Sequence, residues 1–303
     1  MKKILFTRNF QYPTGGHVTV RDYFMHSLNH PEIDPYIYFT PESKYAGSET
    51  WQNVPQERIV KEFVPEDYDL FFVGGKDWRF LPFDFGRKKV INIIQGIKHA
   101  KEAELRSYLK RPAYRICNSH EVHEAILPFI SGVAEVIHNA VDFTLFHGHG
   151  RKNPNSVLIW GLKNIELADQ LYQELKKNVN KVRLLIEILP QKEFAKCLQH
   201  TDILVALPSQ VEGFYKPALE GMASRCAVIC ADAIGNRCHC IDMETCLQPK
   251  SNDFEVHILK IRMLLDNSEL KEKIRYRGYE MSQKFTLDEQ RRRYYQFLEK
   301  YIL

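Results

Sequence analysis

The chain contains no apolar run of about 18 residues, so nothing in it reads as a membrane-spanning helix. It has no internal repeat and no low-complexity tract, which excludes repeat arrays and tethers of biased composition. A formal net charge of +4 over 303 residues is too small to argue for nucleic acid, and no RNA- or DNA-binding motif accompanies it. The seven cysteines come without the paired C-x-x-C turns of structural zinc sites. Cys238, His239, Cys240 and Cys246 form only a C-H-C-x5-C run, so no metal site is expected. Cys117, Cys197, Cys226 and Cys230 lie in or beside apolar runs and read as small buried hydrophobes. The start, MKKILFTRNF, has the lysines of a signal peptide but too short an apolar stretch before Arg8; ILFT reads as a first core strand. The cytoplasm is then the expected location, and disulfides are not expected there.

What is present is an alternation of short β-branched or apolar runs with longer helix-like segments, the pattern of an α/β protein. Strands are expected at KILFT, DPYIYFT, DLFFVGG, KVINIIQ, YRICNS, AEVIHN, SVLIWGL, KVRLLIEI, DILVALPS, CAVICAD and ETCLQP. Helices are expected at VTVRDYFMHSLNH, HAKEAELRSYLKR, IELADQLYQELKKN, QKEFAKCLQH, PALEGMAS and DFEVHILKIRMLLDN. The length suggests two domains, and the polar, glycine-bearing tract Phe146 to Ser156 is the expected linker. This divides the chain into 1–147, 148–285 and a terminal helix 286–303, the last with Tyr294, Phe297, Leu298 and Tyr301 on one face. Arg87, Lys88, Lys89, Lys98, Lys101, Arg106, Lys110, Arg111 and Arg115 crowd the end of the first half. Such a cluster suits an anionic membrane surface or a phosphorylated acceptor, although an ordinary solvated face is the favoured reading.

The chemistry concentrates in VEGFYKPALEGMA, Val211 to Ala223, which follows the strand-like run ILVALPS. Pro217 suits a first helical position, where its missing N–H costs nothing. The amides and positive dipole end of such a helix bind phosphate, and Glu212 and Glu220 can accept hydrogen bonds from sugar hydroxyls. Taken singly, each glutamate also reads as an ordinary loop or helix acid. In the first half, Gly15 and Gly16 stand between a strand and a helix, without the G-x-G-x-x-G dinucleotide pattern. His17 follows them at the helix start, where a lone histidine also serves as a cap or surface residue.

The segment 211–223 resembles the donor-site signature of glycosyltransferase family 4, which reads approximately EGFGLPLLEAMA. VIHNAVDFTLF (136–146) is similar to that family's VIPNGVDxxxF, with Ala140 in place of the glycine. NSHEVHEAI (118–126) resembles its strand-end serine and helix, Ser119 being the match, although capping that helix is an equal reading. The resemblance covers most of the second half and thinner islands of the first. It implies a GT-B architecture: two Rossmann-like domains facing across a cleft, with a C-terminal helix crossing back to the first. It implies a retaining, metal-independent transfer of sugar from a nucleotide-diphosphate donor to a hydroxyl acceptor, in polysaccharide or glycolipid biosynthesis. The donor is a co-substrate of UDP or GDP type, and no cofactor is needed.

By the same resemblance Glu212 and Glu220 contact the donor sugar and ribose, within a turn of Gly213, Phe214, Tyr215 and Lys216. Gly161 and Lys163 lie at the diphosphate, Leu162 standing where the family carries an arginine. Gly235 and Asn236 line the sugar pocket. Gly15 and Gly16 form the phosphate or acceptor loop, with His17 beside it, and Gln95 or His99 occupies the place of a cleft histidine that donates to a sugar hydroxyl. Other readings stay open: a non-catalytic nucleotide-sugar binder or partner subunit, or another GT-B enzyme such as an epimerase or phosphorylase.

Overall fold

The computed structural model describes residues 1–303 except 83, 85, 87, 251 and 252. Arg87 of the basic cluster thus lies outside the described residues. The chain divides into two compact units, 1–139 with 288–303 and 140–287. Val141 and Phe146 are buried in the core of the second unit, so the chain leaves unit 1 at Asn139, before the polar tract 146–156.

Unit 1 carries β1 (Lys2–Arg8), α1 (Gly15–Leu28), β2 (Ile33–Phe39), β3 (Ile59–Val60), β4 (Leu70–Gly74), β5 (Lys89–Ile94), α2 (Lys98–Lys101), α3 (Ala103–Leu109), β6 (Pro112–Cys117), α4 (His120–Ile126) and β7 (Ser131–Val136). The strands form one parallel sheet in the order β3-β2-β1-β4-β5-β6-β7. Alternate side chains feed two apolar layers: Ile4, Phe6, Phe72, Ile91 and Ile93 on one face, Leu5, Phe71, Val73 and Val90 on the other. Burial on both faces explains why these strands read as continuous apolar runs.

Unit 2 repeats the plan with β8 (Val157–Trp160), α5 (Ile165–Leu175), β9 (Val182–Leu185), α6 (Gln191–His200), β10 (Ile203–Ala206), α7 (Lys216–Ala223), β11 (Ala227–Cys230), α8 (Phe254–Asp266) and α9 (Ser268–Ser282). Its parallel sheet runs β11-β10-β8-β9. The expected strand ETCLQP is reduced to isolated bridges, Leu247 pairing with Ile229 and Cys246 with Asp242.

The last helix, α10 (Leu287–Tyr301), belongs with unit 1. Tyr294, Phe297, Leu298 and Ile302 join the apolar layer that also holds Tyr23 and Phe24. The Tyr294 hydroxyl lies 3.0 Å from Ser27 Oγ, and Lys2 and Lys89 donate to the carbonyls of Ile302 (2.6 Å) and Tyr301 (2.8 Å). Cations at a helix C-terminus satisfy carbonyls that lack intrahelical partners.

The continuous basic helix expected over 99–111 is interrupted. Glu102 takes extended backbone (φ −78°, ψ 126°) and separates α2 from α3. Several of the basic residues are also occupied by the fold. Arg115 is fully buried and donates to the carbonyls of Ser131 (2.6 Å), Arg111 (2.7 Å) and Leu109 (2.9 Å). Lys88 donates to Pro65 O (2.6 Å) and Arg111 to Trp78 O (3.2 Å). No helix among the described residues is long and apolar enough to cross a membrane.

Candidate functional site

In a parallel sheet, ligands settle outside the carboxyl ends of the strands, where successive connections diverge to opposite sides. In unit 2 that point lies between β8 and β10: the chain goes from β8 to β9 on one side and returns to β10 on the other. Gly161 follows β8, its N–H donating to Leu185 O (2.9 Å). A Cβ at this glycine would stand 2.1 Å from that of Ala168, so the turn exists because α5 packs directly on it. Leu162, where the resemblance leads one to expect arginine, packs against the apolar core. Lys163 projects from the turn with its side chain half exposed, its Nζ 4.0 Å from Glu212 Oε1. The two strand ends are thus bridged by this cation and carboxylate.

Beyond Glu212 the chain enters α7 through Gly213, Phe214 and Tyr215. Side chains of Thr14, Ser119, Asn164, Asp253 and Asn267 cap α1, α4, α5, α8 and α9, whereas α7, like α2, α3 and α6, has no side-chain cap. Its start, with Lys216 and Pro217 in the first positions, keeps the dipole end available to an anion. Glu220 is buried in the helix. Burial pushes the Tyr215 hydroxyl well above the usual tyrosine range; Cys230, Glu212, Cys240 and Glu220 add to the effect. Glu212 precedes and Glu220 follows the turn that holds this phenol, so the two carboxylates flank the entrance of α7 in the chain.

Gly235 fixes the turn from behind. A Cβ there would fall 2.2 Å from the carbonyl carbon of Gly213 and 2.5 Å from Glu212 O, and the Gly235 carbonyl accepts from Tyr215 N–H (3.2 Å). Asn236, expected to line the sugar pocket, instead spends its amide inside the loop. It donates to Ala231 O (2.8 Å), accepts from Ala233 N–H (3.2 Å) and is fully buried. Phe214 likewise turns inward, its ring centroid 5.0 Å from that of His239 and 5.8 Å from that of Phe285. These residues support the turn from within. Among the described residues no group of three or more His, Cys, Asp or Glu side chains is arranged to hold a metal ion.

In unit 1 the connections diverge between β1 and β4. Gly15, Gly16 and His17 open α1 just after β1, capped by Thr14. Gln95, at the end of β5, donates to Gly16 O (3.2 Å) and so anchors the glycine loop. Its own carbonyl accepts from Asn118 Nδ2 (3.2 Å). His99 is buried, and its Nδ1 lies 2.9 Å from Gly96 O. A carbonyl only accepts, so Nδ1 carries the proton and Nε2 is left as an acceptor, with no hydrogen-bond partner. Burial lowers the His99 pKa. The donor role expected of His99 toward a hydroxyl is therefore inverted. Ser119 acts as the cap of α4, accepting from Val122 N–H (3.2 Å).

Sequence reasoning missed Arg8 and Asp77. Arg8 ends β1, is buried, and bonds the buried carboxylate of Asp77, which follows β4. Its other terminal nitrogen lies 2.9 Å from His17 Nδ1. The available signal was an arginine closing the buried ILFT run of β1, a position where a charge needs a partner.

Residues 143–281 match the family model of the glycosyl transferases group 1. Among solved structures, the chain is similar to Anabaena HepE (Alr3699) in complex with UDP-glucose, at 15% identity and a TM-score of 0.77, covering 99% of this chain and 100% of that one. Sucrose-phosphate synthase from Thermosynechococcus elongatus gives 14% identity and a TM-score of 0.72, covering 99% of each chain. A glycosyltransferase from Rickettsia africae gives 14% and 0.69, covering 98% of each. At such identities the likeness establishes the fold, and it is the α/β GT-B fold expected from the sequence. No curated protein sequence matches the chain significantly.

Proposed function

We propose that this chain is a retaining, metal-independent glycosyltransferase of the family 4 type, moving a sugar from a nucleotide-diphosphate donor to a hydroxyl acceptor. The observation that carries the reading is the uncapped start of α7, flanked by Glu212 and Glu220 at the β8/β10 divergence and lying within the segment matched by the family model. The diphosphate takes the helix start. Glu220 and Glu212 accept hydrogen bonds from ribose and sugar hydroxyls, which selects a polyhydroxylated ligand over an apolar one. The Lys163 ammonium offsets the charge that grows on the departing diphosphate.

In the proposed step the acceptor oxygen bonds to the anomeric carbon on the face from which the diphosphate leaves. The sugar–phosphate C–O bond breaks, and a departing phosphate oxygen takes the acceptor's proton. No protein nucleophile enters the balance. Unit 1 is proposed to bind the acceptor, with the Gly15–Gly16 loop and Gln95 among its polar contacts. We place the reaction in polysaccharide or glycolipid biosynthesis in the cytoplasm, at the inner face of the membrane where the acceptor is lipid-linked.

Calorimetric titration of UDP, GDP and their sugar conjugates, with chelator present, into wild-type and Glu220→Ala protein tests this. One diphosphate class binds, and the substitution weakens it about tenfold, the loss of one or two hydrogen bonds to a charged group. Absence of binding by every nucleotide to folded protein overturns the reading. Proton NMR of the product's anomeric centre then decides retention. A second reading, a nucleotide-sugar binder without turnover, is favoured by the packing of Leu162 against the apolar core where a diphosphate arginine is expected. Binding without transfer or hydrolysis across an acceptor screen selects it.

A further inference from the structure

The buried pair Arg8 and Asp77 sits at the β1/β4 divergence and is not used by the reaction proposed above. Arg8 Nη1 bonds Asp77 Oδ2, and Asp77 also accepts from Gly74 N–H (3.3 Å), so the guanidinium is held at the carboxyl ends of both strands. Its Nη2 then lies 2.9 Å from His17 Nδ1. A guanidinium has five N–H donors and no acceptor, so the imidazole nitrogen in this contact must be the one without a proton. The proton of neutral His17 resides on Nε2. The Phe10 ring, 4.8 Å away, packs against the imidazole, and Gln95 holds the carbonyl of the adjacent Gly16.

We infer that Arg8 is a positioning residue, which fixes His17 as the Nε2–H tautomer so that His17 offers a ligand oxygen a hydrogen-bond donor and no proton acceptor. Burial and the neighbouring Arg8 charge lower the His17 pKa to about 3, in accord with the geometry. Arg8 is the charged group facing the ring; Asp77 touches Arg8 and not the imidazole. His17 thus has neither a free lone pair to take a proton near neutrality nor a second proton to give. The role toward a ligand rests on the transferase reading, whereas the tautomer does not.

The test uses the full chain labelled with 15N-histidine, followed by two-bond 1H–15N correlation spectra, with His17 assigned by its loss in His17→Gln. The wild-type spectrum shows an unprotonated Nδ1 and a protonated Nε2 for His17, unchanged between about pH 5 and pH 8, the window in which an ordinary histidine titrates. In Arg8→Met/Asp77→Asn, which strands no buried charge, the Nδ1 atom of His17 loses the donor that keeps it unprotonated, and the spectrum shows proton occupancy on Nδ1. A wild-type His17 that carries its proton on Nδ1 or titrates there overturns the inference, and so does a folded double variant whose His17 keeps the same fixed Nε2–H tautomer. If the double variant does not fold, the wild-type tautomer alone decides. Either result is independent of nucleotide titration, so this inference can fail while the functional reading stands.

Discussion

Replacing Gly235 by alanine probes the donor turn without touching any group that contacts a ligand in the proposed scheme. The added Cβ lands 2.2 Å from the carbonyl carbon of Gly213, and 2.5 Å from the carbonyl oxygens of Glu212 and Gly213. All three are backbone atoms, so no rotamer change relieves the clash. Restoring ordinary carbon–carbon contact demands a movement of about 1 Å between the loop at Gly235 and the Glu212–Gly213 peptide. The strain costs about 1–3 kcal/mol, the usual range for overpacking, and is read as a lower thermal midpoint. The same displacement carries Glu212 and the α7 entrance with it, and a 1 Å misplacement costs a rate of order 10²-fold. Steady-state turnover of the nucleotide sugar found by calorimetry is the assay. Gly96→Ala is the control, because its Cβ meets only Lys98 Cγ at 4.0 Å. Gly235→Ala protein that folds with unchanged stability and turns over donor at the wild-type rate would refute the placement of the catalytic turn.

Arg115→Met strands the buried carbonyls of Ser131, Arg111 and Leu109 and is expected to destabilise the protein by about 3 kcal/mol or more, read as a lower urea midpoint. Ser27→Ala and Tyr294→Phe each lose about 1 kcal/mol, while the double variant loses less than their sum; additive losses in a denaturant cycle exclude the bond between α1 and α10. Buried His26 and His99 and the partly buried His17 and His138 all have pKa values lowered from 6.5, mainly by desolvation. Below pH 6.5 the unfolded chain binds more protons than the folded one, so stability is full above that pH and falls as pH drops, for His17 down to about 3. Denaturant midpoints between pH 7 and pH 4 should decline accordingly, and less steeply in His17→Gln; a flat profile contradicts the buried neutral histidines.

The sheet strands were legible because burial on both faces makes them unbroken apolar runs, as in LFFV (70–73) and ILVA (203–206). Helix α9 was not, because its inward face is Lys271, Ile274, Gly278 and Ser282. Lys271 is buried against Asp202 at 2.9 Å, so an ion pair stands where periodicity looks for a hydrophobe. Glu102 divided an apparently continuous helix through a backbone state that neither propensity nor pattern marks. At the candidate site, residue types on strand-end turns and at the start of α7 pointed to Glu212, Glu220, Lys163 and Gly235. Direction was invisible: which residues of a turn face inward is set by packing, so Phe214 and Asn236 could not be told from ligand contacts. Tautomers were invisible too, since the polarity of His17 and His99 is decided by Arg8 and Gly96 O, distant or unremarkable in sequence.

The division of the chain also orders its own assembly. Unit 2 is continuous, whereas the apolar layer of unit 1 needs Tyr294, Phe297, Leu298 and Ile302 from the last stretch of chain beside Ile4, Phe6 and Phe24 from the first. During synthesis the first segment leaves the ribosome with that layer still open, and unit 2 has every residue of its core available before the final helix emerges. Synthesis from the N-terminus usually favours the first domain, but here the second is free to close earlier. Until α10 is added, that layer has the cover of Val20, Tyr23 and Phe24 but lacks Tyr294, Phe297, Leu298 and Ile302, so truncation before α10 exposes apolar surface in unit 1 and leaves the core of unit 2 whole.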